Sequence, residues 1–346
     1  MKVSIIGVTG YSGLELVRLL HSHPEVEIAG VYGTQNIGKK ISELYPHLMG
    51  ILDLPLKEIN HLEIMAASDL VFFATPSGVS REAAIQFIEN QFPVIDLSGD
   101  FRLDSAESYQ KWYSKPATHA AHLKQAVYGL ADFLDKSSTA GTTLIANPGC
   151  YATASILSLA PVVIDDLIDP ESIIIDAKSG LSGAGKKLSD ASHYVEVNDN
   201  MSAYKINQHQ HIPEIMLQFN RWNTKIPAIQ FSTSLIPVTR GIFVTSYVKL
   251  KSDVTYEAVK AAYHELYQDK VFIRVMENDQ TPQLKQVIGT NYTDIGLSYN
   301  PVTNTLMVVT VIDNLIKGAA GQAIQNLNLF ADFDQFAGLD FAPVFP

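Results

Sequence analysis

At 346 residues the chain is long enough for two domains, each with a core of its own. Its 47% hydrophobic and 18% charged composition is that of an ordinary globular protein, and no apolar run approaches membrane-spanning length. The formal net charge of -11 argues against nucleic acid or an anionic membrane as partner, but a locally basic site for a small anion remains compatible with it. A single cysteine excludes an internal disulfide and fits a reducing, cytoplasmic compartment. Met1-Lys2-Val3 runs straight into an apolar segment, so no secretory leader is expected.

In chain order, Val3 to Val8 reads as a strand and Ser12 to His21 as an amphipathic helix, with Leu14, Val17 and Leu20 at helical spacing. Val26 to Tyr32, Leu70 to Ala74 and Pro93 to Leu97 read as further strands, with a helix over Arg81 to Asn90. This alternation predicts a mostly parallel sheet covered by helices. Leu144 to Ala146 ends a strand, and Ala152 to Leu159 follows a Pro-Gly turn as a helix. The texture then changes to long alternating strands at Ile229 to Pro237, Ile242 to Leu250, Phe272 to Glu277 and Thr305 to Ile312. Helices at Pro213 to Trp222 and Tyr256 to Tyr267 lie between them, and an Ala-rich helical stretch closes the chain from Gly318 to Leu329. The expected fold class is therefore α/β plus α+β: an N-terminal Rossmann-type parallel-sheet domain, then an α+β domain with a mainly antiparallel sheet, joined near Asn147.

Gly7-Val8-Thr9-Gly10-Tyr11-Ser12-Gly13 follows the first strand and opens the first helix. Glycines there permit a tight turn and close backbone approach to a pyrophosphate at a helix N-terminus, a variant of the dinucleotide fingerprint. NAD sites usually place an Asp or Glu at the end of the second strand. Thr34-Gln35-Asn36-Ile37-Gly38-Lys39-Lys40 has no carboxylate and carries hydroxyl, amide and lysine donors, which suit a 2′-phosphate and point to NADP. Lys39 and Lys40 also read as a solvated surface pair.

Cys150 lies in Asn147-Pro148-Gly149-Cys150-Tyr151, on the first turn of the predicted helix. Unpaired N–H groups and the helix dipole favour a thiolate there, the form a nucleophile needs, although a lone Cys is more commonly a packed apolar side chain. A histidine suits the partner base, and His209-Gln210-His211-Ile212-Pro213-Glu214 offers two whose spacing does not choose between them. No third ligand stands near that pair in sequence, so no metal is expected. Two more segments suit an anion: the Gly- and Ser-rich run Lys178 to Lys186, through its backbone amides, and Arg240 in Pro237-Val238-Thr239-Arg240-Gly241.

Taken together the chain resembles the N-acetyl-γ-glutamyl-phosphate reductases, relatives of aspartate-semialdehyde dehydrogenase. The resemblance runs essentially end to end, through Gly7 to Gly13, Asp96 to Leu103, Tyr128 to Leu130, Asn147 to Thr153, Ser179 to Gly185, His209 to Ile215, Pro237 to Gly241, Gly289 to Asn291 and Asp313 to Gln322. It implies Cys150 as nucleophile and His209 as acid–base residue, with His211 second. Asn147, Ser179, Ser182, His211, Glu214 and Arg240 would meet the substrate. Gly7, Thr9, Gly10, Tyr11, Ser12, Gly13, Thr34, Gln35, Lys39, Thr75, Pro76, Ser182, Gly183, Asn314 and Lys317 would meet the cofactor. Asn314 and Lys317 would return the C-terminal helix to the cofactor domain, giving 1–147 with 314–346 as one domain and 148–313 as a catalytic and oligomerisation domain. Three departures from the family pattern stand out: Thr75-Pro76-Ser77-Gly78 for Leu-Pro-His-Gly, Thr34-Gln35 for Ser-Arg, and Leu130-Ala131-Asp132 for Leu-Pro-Glu.

The implied activity is NADPH-dependent reductive dephosphorylation of an acyl phosphate through a cysteine thioester, in arginine biosynthesis, by a homodimer or homotetramer. Aspartyl phosphate and N-acetylaminoadipyl phosphate are alternative substrates for the same chemistry. A non-catalytic cofactor sensor and a zinc hydrolase using the histidine pair are readings from other classes.

Overall fold

The computed structural model describes residues 1–345, with backbone alone at positions 136 and 191. They divide into two units, Met1–Pro148 with Ala319–Asp340, and Gly149–Gly318 with the tail from Phe341. Each unit holds one seven-stranded sheet among the described residues.

In the first unit the strands are β1 (Lys2–Ile6), β2 (Glu27–Tyr32), β3 (Leu56–Lys57), β4 (Leu70–Phe73), β5 (Val94–Asp96), β6 (Val127–Tyr128) and β7 (Leu144–Ala146). Their order is β3-β2-β1-β4-β5-β7-β6, and every pairing is parallel. Buried runs such as Leu70-Val71-Phe72-Phe73 explain this, because a parallel sheet covered on both faces wants apolar side chains on both. The order reverses between β1 and β4, and such a switch opens a crevice at the strands' C-terminal ends. Helix α1 (Tyr11–Leu20) leaves β1 at that crevice. The helix expected over Arg81 to Asn90 is instead two short ones, Ser80–Ala83 and Ile85–Glu89. At the break the Ala84 carbonyl accepts from both Phe87 and Ile88, which tightens the turn.

The second unit contains β8 (Ile174–Gly180), β9 (Ser202–Tyr204), β10 (Gln230–Ile236), β11 (Ile242–Lys249), β12 (Ile273–Val275), β13 (Thr293–Asn300) and β14 (Thr305–Ile312). They run in the order β12-β13-β14-β11-β8-β10-β9, with β12–β13 and β8–β10 parallel and the other pairings antiparallel. Helix α2 (Cys150–Ile164) packs on β11 and β14, between α3 (Ile212–Trp222) and α4 (Tyr256–Tyr267). It is buried nearly all round, so it shows little amphipathic pattern.

Helix α2 outruns the expected end at Leu159 and passes through Pro161. Proline cannot donate to the carbonyl four residues back, which leaves the Leu157 oxygen without its helical partner. Tyr267 on α4 supplies one: its hydroxyl donates to Leu157 O at 2.5 Å. The C-terminal stretch also differs from expectation, with a π-helical turn over Ile316–Ala320 preceding α5 (Gly321–Ala331). Residues 314 to 318 and the tail from Phe341 lie with the second unit. Hydrogen bonds from Asn314 to Ser182 and from Val344 N–H to Ile288 O hold them there.

Candidate active site

The turn from β1 into α1 uses its three glycines for three different reasons. Gly7 has φ +86°, and a Cβ on it would meet the Ala74 carbonyl oxygen at 2.5 Å. A Cβ on Gly13 would meet Gly7 O at 2.5 Å, so that glycine lets the helix seat on the turn. Gly10 has no such conflict, its nearest neighbour being 3.5 Å away. A bare backbone there leaves room for a ligand to approach. Gly10 precedes α1 without a side-chain cap, and the first turn, which begins Tyr11-Ser12, holds no acidic residue. Tyr45 fixes the turn by donating to Thr9 O at 2.8 Å. Beside Gly7 lies Thr75, whose Oγ1 is buried without a hydrogen-bond partner. A bare N-terminal cradle and an orphaned hydroxyl at its edge fit a dinucleotide. Thr34, Gln35 and Lys39 stand exposed beyond β2, with no carboxylate between positions 33 and 40.

The loop Thr75-Pro76-Ser77-Gly78 is held by a fully buried carboxylate. Asp100 accepts from Gly78 N–H at 2.7 and 2.9 Å, Arg81 N–H at 2.9 Å, Ser80 Oγ at 3.0 Å and Tyr109 Oη at 2.6 Å. Burial, reinforced by Asp100, pushes the neighbouring Asp96 carboxyl up to about 6.

Asn147 does not present its side chain to a ligand. It is 0% exposed, its amide donates to Ala319 O at 3.0 Å and accepts from Asn326 at 3.0 Å, and its carbonyl receives Arg102 Nε at 2.7 Å. Its role is to join β7 to α5 and the Asp96–Arg102 segment.

In the second unit Cys150 is half-buried at the first turn of α2. Gly149 precedes it in extended conformation, and the Gly149 N–H donates to Glu214 Oε1 at 2.7 Å. Glu214, 1% exposed in the first turn of α3, therefore ties the starts of two helices together. Behind Cys150 lies Gly318, where a Cβ would fall 2.7 Å from Cys150 Cβ.

His209 and His211 pack edge-on to each other with ring centroids 4.7 Å apart, and both pack edge-on to Tyr151. Tyr204 and Phe231 complete the box around His209. The His211 N–H donates to His209 Nδ1 at 3.2 Å, so a neutral His209 carries its proton on Nε2. Burial, helped by Lys205, pushes His209 down to about 3 and keeps it neutral at physiological pH. Tyr204 Oη donates to Tyr151 Oη at 3.1 Å, and burial raises both phenols, Tyr204 to about 12.

The Ser- and Gly-rich run does not form the amide cradle expected of it. Gly180, Leu181 and Ser182 donate their N–H groups to the carbonyls of Gly241, Val238 and Thr239, at 2.9, 2.9 and 3.1 Å. The run is thereby laced to the Arg240 turn, and what it offers is a side-chain surface. Ser179 is 1% exposed and donates to Gly180 O at 2.9 Å, whereas Ser182 is half-buried and Gly183 exposed. Asn314 spends both ends of its amide on this lacing, accepting from Gly241 N–H at 2.7 Å and donating to Ser182 Oγ at 3.0 Å. Lys317 is 0% exposed with its ammonium 5.6 Å above the Phe272 ring, so this conformation offers it to no cofactor. No group of three or more His, Cys, Asp or Glu able to hold a metal ion occurs among the described residues.

The second unit thus collects Cys150, the two histidines and Glu214 at two linked helix starts, and Ser179, Ser182, Arg240 and Asn314 at one laced turn. Sequence reasoning does not single out Tyr151, Tyr204, Asp313 or Gly318 as individuals. Tyr151, Asp313 and Gly318 fall inside the runs Asn147 to Thr153 and Asp313 to Gln322, whereas Tyr204 lies outside every such run.

The two units each match a family of known proteins. Residues 2–139 match the model for the semialdehyde dehydrogenase NAD-binding domain, and 150–314 that for the semialdehyde dehydrogenase dimerisation domain. The chain is 57% identical over 342 residues to the N-acetyl-gamma-glutamyl-phosphate reductase of Lactococcus lactis, covering 99% of each. It is 54% identical over 346 residues to that of Listeria innocua, covering all of both, and 54% identical over 343 to that of Streptococcus mutans, covering 99% of each. Among solved structures, aspartate semialdehyde dehydrogenase II of Vibrio cholerae superposes with a TM-score of 0.72 at 16% identity, covering 96% of this chain and 98% of that one. The Candida albicans aspartate semialdehyde dehydrogenase with NADP gives 0.70 at 17% identity, covering 95% and 98%. The structures speak to the fold alone, but the full-length sequence identities go further: the chain belongs to the N-acetyl-γ-glutamyl-phosphate reductase family.

Proposed function

We propose that this chain reduces N-acetyl-γ-glutamyl phosphate to N-acetylglutamate 5-semialdehyde with NADPH and release of phosphate, as a cytoplasmic step of arginine biosynthesis. The observation that carries the chemistry is the seat of Cys150, at a helix start whose preceding amide is held by Glu214, beside two histidines packed on the adjoining Tyr151. The substrate, in preference to aspartyl phosphate or N-acetylaminoadipyl phosphate, rests on the 57% and 54% identities to reductases of that name. NADP in preference to NAD rests on the absence of a carboxylate and the presence of Thr34, Gln35 and Lys39 after β2.

Cys150 Sγ attacks the acyl carbonyl, the carbonyl–phosphate bond breaks, and phosphate leaves a thioester on the enzyme. A dinucleotide held through its pyrophosphate by the Gly7–Gly13 turn would supply the hydride from its nicotinamide. Collapse of the Cys150 thiohemiacetal frees the semialdehyde and returns the thiolate. His211 is the better acid–base residue of the pair, since the one lone pair of neutral His209 already receives the His211 N–H. His209 then holds His211 in place. Helix-start amides would stabilise the tetrahedral oxyanion, and Arg240 with Ser182 would bind an anionic group of the substrate.

We also infer a homodimer or homotetramer formed through the second unit. Ile174 and Tyr247 are cross-strand neighbours on β8 and β11, and they stand 46% and 37% exposed on a sheet face. The reverse assay tests the reading as a whole. N-acetylglutamate 5-semialdehyde, phosphate and NADP should give NADPH-forming turnover well above the corresponding rate with NAD or with aspartate semialdehyde. Equal or faster turnover of aspartate semialdehyde would overturn the substrate.

A further inference from the structure

Asp313 is a buried carboxylate for which the chemistry above has no use. It is 0% exposed, immediately after β14. Its Oδ1 accepts from the N–H groups of Leu315 at 2.8 Å and Ile316 at 3.2 Å, and its Oδ2 from Gly289 N–H at 2.9 Å. Oδ2 also lies 3.6 Å from Arg240 Nη1, whose side chain is 27% exposed. Three amides satisfy the carboxylate's hydrogen-bonding needs, while its charge faces the guanidinium. The Asp313 carbonyl accepts from Gly318 N–H at 3.0 Å, and Gly318 is the residue packed against Cys150. The next residue, Asn314, bridges Gly241 and Ser182. One dipeptide therefore anchors the arginine, the serine run and the wall behind the nucleophile.

We propose that Asp313 is a positioning residue that fixes Arg240 as the receptor for an oxyanion of the substrate. An arginine on a strand-to-strand turn has several rotamers and loses conformational freedom when it binds. A buried anion behind it narrows the choice of rotamers beforehand, so less is lost on binding. Substitution of Asp313 should accordingly act on substrate affinity through Arg240. The inference rests on the reading of Arg240 as an anion receptor, and the oxyanion is either the phosphate or the carboxylate of the semialdehyde product.

The test is a mutant cycle on the full-length enzyme in the reverse reaction, with KM for inorganic phosphate and KM for semialdehyde measured separately. Arg240→Ala should raise one of the two KM values, which identifies the oxyanion. Asp313→Asn keeps an acceptor for the Leu315 and Ile316 amides but removes the charge, and it should raise the same KM by about tenfold with cofactor KM unchanged. In the Arg240→Ala background it should add nothing to that KM. If Arg240→Ala alters neither KM, the anion-receptor reading fails. If Arg240→Ala acts but Asp313→Asn leaves that KM unchanged, or multiplies it equally in both backgrounds, the positioning role is overturned. Should Asp313→Asn fail to fold, Asp313→Glu carries the same cycle: it keeps the charge but displaces it, and is expected to raise the same KM only when Arg240 is present.

Discussion

Gly318 lies against Cys150 so closely that a Cβ on it would fall 2.7 Å from Cys150 Cβ and 3.1 Å from Cys150 Cα. The contact joins the first turn of α2 to the π-helical turn that leaves β14. Real Cβ atoms do not approach so near, so Gly318→Ala must push the nucleophile aside. The fold can absorb that shift more readily than the chemistry, since a 1 Å displacement of a reacting group costs about 100-fold in rate. We expect kcat to fall by about that factor with little change in melting temperature. Unchanged kcat would mean that the position of Cys150 is not set by this wall.

The histidines should separate in a pH profile. His211→Asn is expected to lower kcat by about 100-fold or more and to remove the acidic limb of kcat/KM. His209→Asn should slow turnover less and preserve that limb, because His209, pushed down to about 3, stays neutral throughout the working range. Loss of the limb in the His209 variant alone would reverse the assignment.

Tyr267 and Pro161 form a compensating pair around Leu157 O. Tyr267→Phe leaves that buried carbonyl unsatisfied and should destabilise the chain by about 1–3 kcal/mol. Adding Pro161→Ala returns a main-chain N–H four residues on, so the double variant should regain much of the loss in denaturant unfolding. Simple additivity of the two substitutions would show that the tyrosine matters by packing only.

Asp96 makes stability depend on pH in the direction opposite to an ordinary ion-paired carboxylate. Its folded pKa of about 6 lies above the ordinary aspartate value of 3.8, so between the two the folded state holds a proton that the unfolded state has released. That contribution is complete below about pH 4 and is lost as pH rises through 6, by at most about 1.4 kcal/mol per unit. Asp96→Asn carries no ionisation, so its unfolding midpoint should improve relative to the parent between pH 4 and 6 and then level off. A difference independent of pH would place the Asp96 titration elsewhere.

Much of the architecture is legible in sequence because burial and periodicity coincide. Leu70-Val71-Phe72-Phe73 and Thr305 to Ile312 are readable strands for that reason. Two-residue β3 and β6 are too short to carry a period, and β13 hides behind Asp294 and Gly296. Asp294 is tolerated there because Arg274 binds it at 2.6 and 3.0 Å, and Gly296 because the Gln280 carbonyl presses on it. Within the site, residue type draws attention to Cys150 and the histidines, and the fold packs both histidines on Tyr151, the neighbour of Cys150. It misleads at Asn147, Asn314 and Lys317, since a polar side chain committed to the protein's own backbone or core looks, in sequence, the same as one offered to a ligand. The Gly180–Ser182 amides mislead for a similar reason: their partners, the carbonyls of the Arg240 turn, come from a distant part of the chain.

The central claim is that Cys150 carries the acyl group. Intact-protein mass spectrometry after mixing with N-acetyl-γ-glutamyl phosphate, in the absence of nicotinamide, tests it most directly. The account predicts release of phosphate and a mass gain of one N-acetylglutamyl group on Cys150, discharged on adding NADPH and absent from Cys150→Ser with cofactor binding intact. NADPH-dependent turnover retained by Cys150→Ser, or an adduct carried by another residue, would contradict it.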